Sequence, residues 1–188
     1  TRYNGIFGLD LALSDMTDAQ KSEVMLMFAN TKFVTAEELV SEYEKSAAIV
    51  RLKAEDTENI SSKIRVLPIG IDLTGYDRLE DTSDIDSYIK NTAFNSNTEF
   101  ENGFVEKVLV KEIQNAERDS IKELLLYYAD RLDARLKTTG DYNLGIVGTA
   151  VLDGKKDSLS DIVSSVKTAI DGLGGDTSGG GGGGAGGG

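Results

Sequence analysis

The feature that most constrains this chain is the stretch Thr98 to Lys137, about forty residues without proline and with Gly103 as its one glycine. Apolar side chains recur there in steps of three and four: Phe100, Phe104 and Val108, then Leu109 and Ile113, then Ile121, Leu124, Leu125, Tyr128, Leu132 and Leu136. That spacing places them on one side of a helix, with Glu106, Lys107, Lys111, Asp119, Lys122 and Arg131 largely outside it. Thr98 and Glu101 have capping-box spacing, and Gly140 is a suitable stop. Unbroken, such a helix is roughly 60 Å long. A single domain of this mass is only about 35–40 Å across. The helix therefore either projects from the body, or bends at Gly103 or between Asn115 and Ser120.

Around it the chain offers shorter helices. Thr17 with Gln20 forms a capping box ahead of Val24, Met27 and Phe28, where the run Met25-Leu26-Met27-Phe28 is either a binding surface or ordinary core. Val34, Thr35, Glu38 and Leu39 carry both a capping box and a hydrophobic staple, opening a helix that reaches Ala54. Ser83 with Asp86 caps a short helix through Ile85, Tyr88 and Ile89. Ser158 with Asp161 caps a last one through Leu159, Ile162, Val163, Val166, Ala169 and Ile170, ended by Gly172.

Two segments read as strands. Leu67, Ile69, Ile71 and Leu73 recur at every second position, and Pro68 has the strand start there or lie at an edge. Leu144 to Leu152 is apolar and small, and Gly145 and Gly148 permit another backbone to approach. The predicted fold class is α+β and predominantly helical: four or five helices around one long helix at 98–137, with a small sheet. Residues 1–173 are expected to form one domain with an N-terminal arm at 1–13. Residues 174–188, nearly all glycine, cannot bury apolar area and are expected to be disordered or bound along a partner.

The composition narrows function by exclusion. Thirty-two acidic against 20 basic residues give a net charge of −12, which repels phosphate backbones and anionic membranes, so neither nucleic acid nor a membrane is an expected partner. Cysteine and histidine are both absent, which removes disulfides, thiolate chemistry and the commonest general base and metal ligand. No run approaches eighteen apolar residues, and no basic-then-apolar leader opens the sequence. A cytoplasmic or particle-incorporated protein is expected.

Motifs for chemistry fall short. Gly145-Ile146-Val147-Gly148 lacks the spacing of a dinucleotide turn and the Lys-Ser/Thr of a P-loop. Asp141, Asn143 and Gly145 resemble the start of a calcium loop, but Ile146 and Leu152 stand where the turn glycine and closing acid belong. Asp77, Glu80, Asp81, Asp84 and Asp86 form a looser oxygen-rich run. Carboxylate pairs abound, yet none gathers sugar-platform aromatics around it. The Ser-x-x-Lys pairs at Ser87–Lys90 and Ser164–Lys167 lack companion motifs, and Asn59-Ile60-Ser61 fits a glycosylation acceptor.

No catalytic residue, metal ligand or cofactor is therefore assigned, and the expected partners are proteins. The leading expectation is a non-enzymatic structural subunit of a self-associating assembly of the virion, sheath or filament type. Two alternatives stand: an acidic adaptor for a basic protein partner, and a carboxylate-based hydrolase or calcium-dependent protein. Between Ile121 and Leu136 more of the helix circumference is apolar than one packed face needs. Leu126 and Tyr127 lie off the stripe and are interface candidates, together with Ile6 and Phe7 on the N-terminal arm. The competing possibility is that the last helix closes the core over this region.

Overall fold

The computed structural model of the chain describes residues 13, 15–32 and 34–174. Among them every regular element is helical, so the expected small sheet is not formed. In order these are α1 (Asp18–Ala29), α2 (Ala36–Ala54), α3 (Thr57–Lys63), α4 (Thr74–Asp77), α5 (Ser83–Asn91), α6 (Asn97–Asn115), α7 (Ile121–Tyr127), α8 (Ala129–Leu132), a 3-10 turn (Ala134–Thr138), α9 (Asp141–Asp153) and α10 (Leu159–Gly174). Two compact units divide the chain within α6, between Val108 and Leu109.

Three of the expected helix starts hold in detail. The Gln20 N–H donates to Thr17 Oγ1 at 3.3 Å and the Thr17 N–H to Gln20 Oε1 at 2.8 Å. At α2 the Glu38 N–H donates to Thr35 Oγ1 at 3.1 Å, and the Glu38 carboxylate accepts from the Thr35 and Val34 N–H groups. The Asp161 N–H donates to Ser158 Oγ at 3.2 Å ahead of α10. Orphan N–H groups of a first turn need an acceptor, and these residues supply it locally. The staple at Val34 is absent, because that side chain is 93% exposed and packs on nothing.

In the first unit α1 lies along α2, and α5 packs on both α2 and α3. Tyr76, Phe94, Phe100 and Phe104 are buried and share edge-on, tilted and stacked ring contacts with centroids 5.1–6.2 Å apart. Rings of this size supply much of the apolar area removed from water. Gly103 has a packing reason: a Cβ there would stand 2.1 Å from the Tyr88 hydroxyl. Buried polar groups are paired. Asn97 joins α6 to α2, accepting from Ser46 Oγ at 2.9 Å and donating to the Glu42 carbonyl at 2.8 Å. Asp86 accepts from the Tyr76 hydroxyl at 2.6 Å and from Thr82 Oγ1 at 2.9 Å, so it serves the core and the helix begins one residue beyond Thr82.

The segment 67–73 keeps the alternation the sequence shows, with Ile69 buried, Leu67, Ile71 and Leu73 half-buried and the residues between them exposed. It is nonetheless irregular. It has no strand beside it, and a ladder requires two.

The 98–137 stretch is not one helix. α6 starts earlier than Thr98, with Ser96 Oγ accepting from the Glu99 N–H at 3.1 Å, while Glu101 instead pairs with Lys45. It ends at Asn115. Glu117, Arg118, Asp119 and Ser120 follow without an apolar side chain to anchor another turn, and Ser120 Oγ bonds the Glu117 backbone on both its N–H and carbonyl sides. Helices in proteins persist where packing holds them, and four polar residues in succession supply none. Tyr128 interrupts the stretch again between α7 and α8, and a further break at Asp133, which is extended, starts the 3-10 turn with the Asp133 carboxylate accepting from the Arg135 N–H at 3.0 Å. With α6 limited to 19 residues, or about 28 Å, the projecting-helix option disappears.

In the second unit α10 lies along α9 and also meets α8, while α7 packs on α9. Its core comprises Leu109, Ile113, Ile121, Leu125, Leu132, Leu136, Leu144, Val147, Val151, Ile162 and Val166. The second expected strand is α9: its buried residues Leu144, Val147, Gly148 and Val151 follow steps of three and four. The neighbour that comes close at Gly148 is a side chain of α7 and not the backbone that the sequence suggests. A Cβ there would lie 2.8 Å from Ile121 Cγ2.

Candidate protein interface

The candidate surface is built on α7 and α9. Leu125 is fully buried and Tyr128 nearly so, whereas Leu126 and Tyr127 between them are 43% and 47% exposed. Successive helical residues turn by about a quarter of the circumference, so this four-residue run divides between core and solvent. Tyr127 is not loose: its ring meets that of Tyr128 edge-on at 4.7 Å. Tyr128 is fixed in turn by its hydroxyl, which donates to the buried Glu112 carboxylate.

Beside them α9 carries Tyr142, 81% exposed, and Ile146, 42% exposed, one turn apart on one face. The two helices are tied near these residues. Lys122 Nζ reaches the Asp141 carboxylate at 2.9 Å, and the Lys122 stem lies against Gly145. Four of the eight large apolar side chains exposed among the described residues thus fall on two adjoining helices of one unit. The sequence does not single out Ile146, which falls in the segment 144–152 that reads as a strand, or Tyr142, which precedes it. The available signal is that Tyr142 and Ile146 lie outside the spacing of Leu144, Val147 and Val151.

Ile6 and Phe7 lie outside the described residues, as do most of the 1–13 arm and residues 175–188 of the glycine tail. The last helix, α10, lies along α9 and meets α8, and it is α9 that packs on α7; Leu126 and Tyr127 stay half exposed.

Charge is unevenly divided. Residues 1–108 hold 20 acidic against 11 basic side chains, a net −9, and residues 109–188 hold 12 against 9, a net −3. The candidate surface belongs to the nearly neutral part.

The acidic positions do not converge. Asp77 pairs with Arg65 at 2.7 Å, Asp81 accepts from the Ser83 N–H at 3.0 Å, and Asp86 points into the core. Asp141 and Gly145 belong to a helix rather than a calcium loop. Among the described residues no three acidic side chains are grouped so as to hold a metal ion. Burial, reinforced by the Asp86 carboxylate, pushes the Tyr76 phenol well above its ordinary range, so this buried hydroxyl stays a donor. Arg135, donating to Asp133, holds that carboxyl below the usual carboxylate range, and it also reaches Asp171 on α10 at 2.7 Å. These are contacts that tie elements together.

Comparison with protein-family models, curated proteins and solved structures gives no match. No helix among the described residues is long and apolar enough to cross a membrane.

Proposed function

We propose that this protein is a structural subunit that associates with further copies of itself, in an assembly of the virion, sheath or filament type, through the outer face of α7 and α9. The observation that carries this reading is the half exposure of Leu126 and Tyr127 directly beside the buried Leu125 and Tyr128. Exposed leucine, isoleucine and tyrosine on two adjoining helices favour a protein contact, and tyrosine can bury its ring while keeping its hydroxyl bonded. The low net charge of residues 109–188 favours like-with-like contact here, since two copies meeting through residues 1–108 would oppose far more negative charge.

Sedimentation velocity of the pure protein over a wide concentration range tests the proposal. A defined oligomer that Leu126→Glu with Tyr127→Glu reduces to a monomer with unchanged circular dichroism supports it. A monomer at every concentration, or an unchanged particle in the folded double variant, refutes it.

A further inference from the structure

Glu112, on α6, is the one buried carboxylate among the described residues of the second unit, and is only 5% exposed. Taking a carboxylate out of water is costly, and an apolar side chain of similar size would fill the same space without that cost. Its partner is Tyr128, 6% exposed, whose hydroxyl donates to the Glu112 carboxylate. A leucine facing a phenylalanine would serve stability about as well, because replacing both members of a buried polar pair by apolar groups of the same shape is nearly neutral. What the polar pair adds is direction. A hydrogen bond fixes where the tyrosine ring stands more strictly than apolar packing does.

Direction matters here because the helix does not supply it. Tyr128 is the joint between α7 and α8, with φ −96° and ψ 14°, outside helical geometry. Its N–H still donates to the Leu124 carbonyl at 2.9 Å, but α7 itself ends at Tyr127. The Tyr127 ring meets the Tyr128 ring at 4.7 Å between centroids and 84° between planes. One ring of this pair is buried and tethered, while the other is 47% exposed on the face assigned to self-association. Glu112, Tyr128 and Tyr127 thus form a continuous series of contacts from a buried acid on α6 to that face.

We infer that Glu112 is a positioning residue for self-association: through the Tyr128 hydroxyl it holds the ring on which Tyr127 rests, so that the exposed ring meets another copy in one orientation. This rests on the reading of the α7 and α9 face as the contact between copies. A ring ordered before contact removes from association the entropy cost of fixing it, which is what preorganisation contributes at an interface.

The test compares the full chain with its Glu112→Leu plus Tyr128→Phe variant, which removes the polar pair and keeps both rings. Two quantities are read. One is the association constant from sedimentation. The other is the set of three-bond NMR couplings that report χ1 of Tyr127, taken in a Leu126→Glu background that weakens the contact and leaves Tyr127 in place. Association should weaken about threefold to tenfold, the effect of one more side chain left to be ordered on contact, with unchanged far-ultraviolet circular dichroism. The Tyr127 χ1 should average over staggered rotamers where the wild-type pair gives one. Glu112→Gln keeps an acceptor oxygen for the hydroxyl and should match the wild type in both measurements. If the double variant does not fold, Tyr128→Phe alone carries the same expectation. Wild-type association in the folded variant, a Tyr127 that keeps its single rotamer, or a Glu112→Gln chain that behaves like the double variant overturns the inference. None of these touches the contact itself, which the Leu126→Glu with Tyr127→Glu variant tests separately. A wild type that is monomeric at every concentration removes the contact and the inference together.

Discussion

Replacing Gly148 by alanine sets two effects of known size against each other. Gly148 lies within α9, and exchanging an interior helical glycine for alanine stabilises by about 1 kcal/mol through backbone entropy alone. Against this, the new Cβ would stand 2.8 Å from Ile121 Cγ2. That methyl cannot swing aside as the end of a long side chain would, because Ile121 is β-branched, stiff at χ1 and only 2% exposed. Relief requires an off-rotamer isoleucine, at about 0.5–1.5 kcal/mol, or a retreat of α7 from α9, and overpacking of this kind costs about 1–3 kcal/mol. The clash should win, with a net loss of about 1 kcal/mol, the difference of those terms. The same substitution in an Ile121→Ala background removes the obstructing methyl, so only the entropy gain should remain and the variant should be stabilised by about 1 kcal/mol. Urea denaturation followed by circular dichroism on the four proteins of this cycle measures the change of sign. If Gly148→Ala stabilises the wild type by the full propensity gain, or has the same effect in both backgrounds, the close approach of α7 is not why glycine is needed at 148.

Thr35→Ala should cost about 1 kcal/mol in chemical denaturation, since it leaves the Glu38 N–H without its acceptor; a loss below a few tenths would show the cap to be dispensable. Tyr76→Phe removes the donor to the buried Asp86 carboxylate while Thr82 remains, and should cost about 1–3 kcal/mol; a melting curve superimposable on the wild type would refute the pairing. Asp133 is held below the ordinary carboxylate range by Arg135, so its stabilising contribution is present above the unfolded value of about 3.9 and is lost as pH falls through the folded one. Asp133→Asn should therefore be less stable than the wild type near neutrality by a small, solvent-screened amount, with the difference closing below about pH 4; a difference that widens on acidification would reverse the sign of the argument.

What the chain determines by itself is the set of interactions closed within one turn. The cap at Thr17 needs Gln20, that at Thr35 needs Glu38, and that at Ser158 needs Asp161, each partner three residues away. Such contacts form whatever the rest of the molecule does, so their spacing alone reveals them. The broken helix at 116–120 was half legible for the same reason: the loss of apolar anchors is visible in sequence, but the choice between bending and projecting is not. Tertiary structure decided the rest. Alternation at Leu67, Ile69, Ile71 and Leu73 reports which side chains face the core, and says nothing of whether another strand exists to accept their backbone hydrogen bonds. The run 144–152 is so rich in small and apolar residues that both periods fit it, and the packing of α7 and α10 against its faces selected the helix. Asp86 has cap spacing but found Tyr76 ten residues away, and Val34 has staple spacing but no cover. Leu126 and Tyr127 could be placed off the buried stripe from sequence, but Tyr142 and Ile146 joined them only when α9 proved to be a helix beside α7, because adjacency on a surface depends on how separate elements pack.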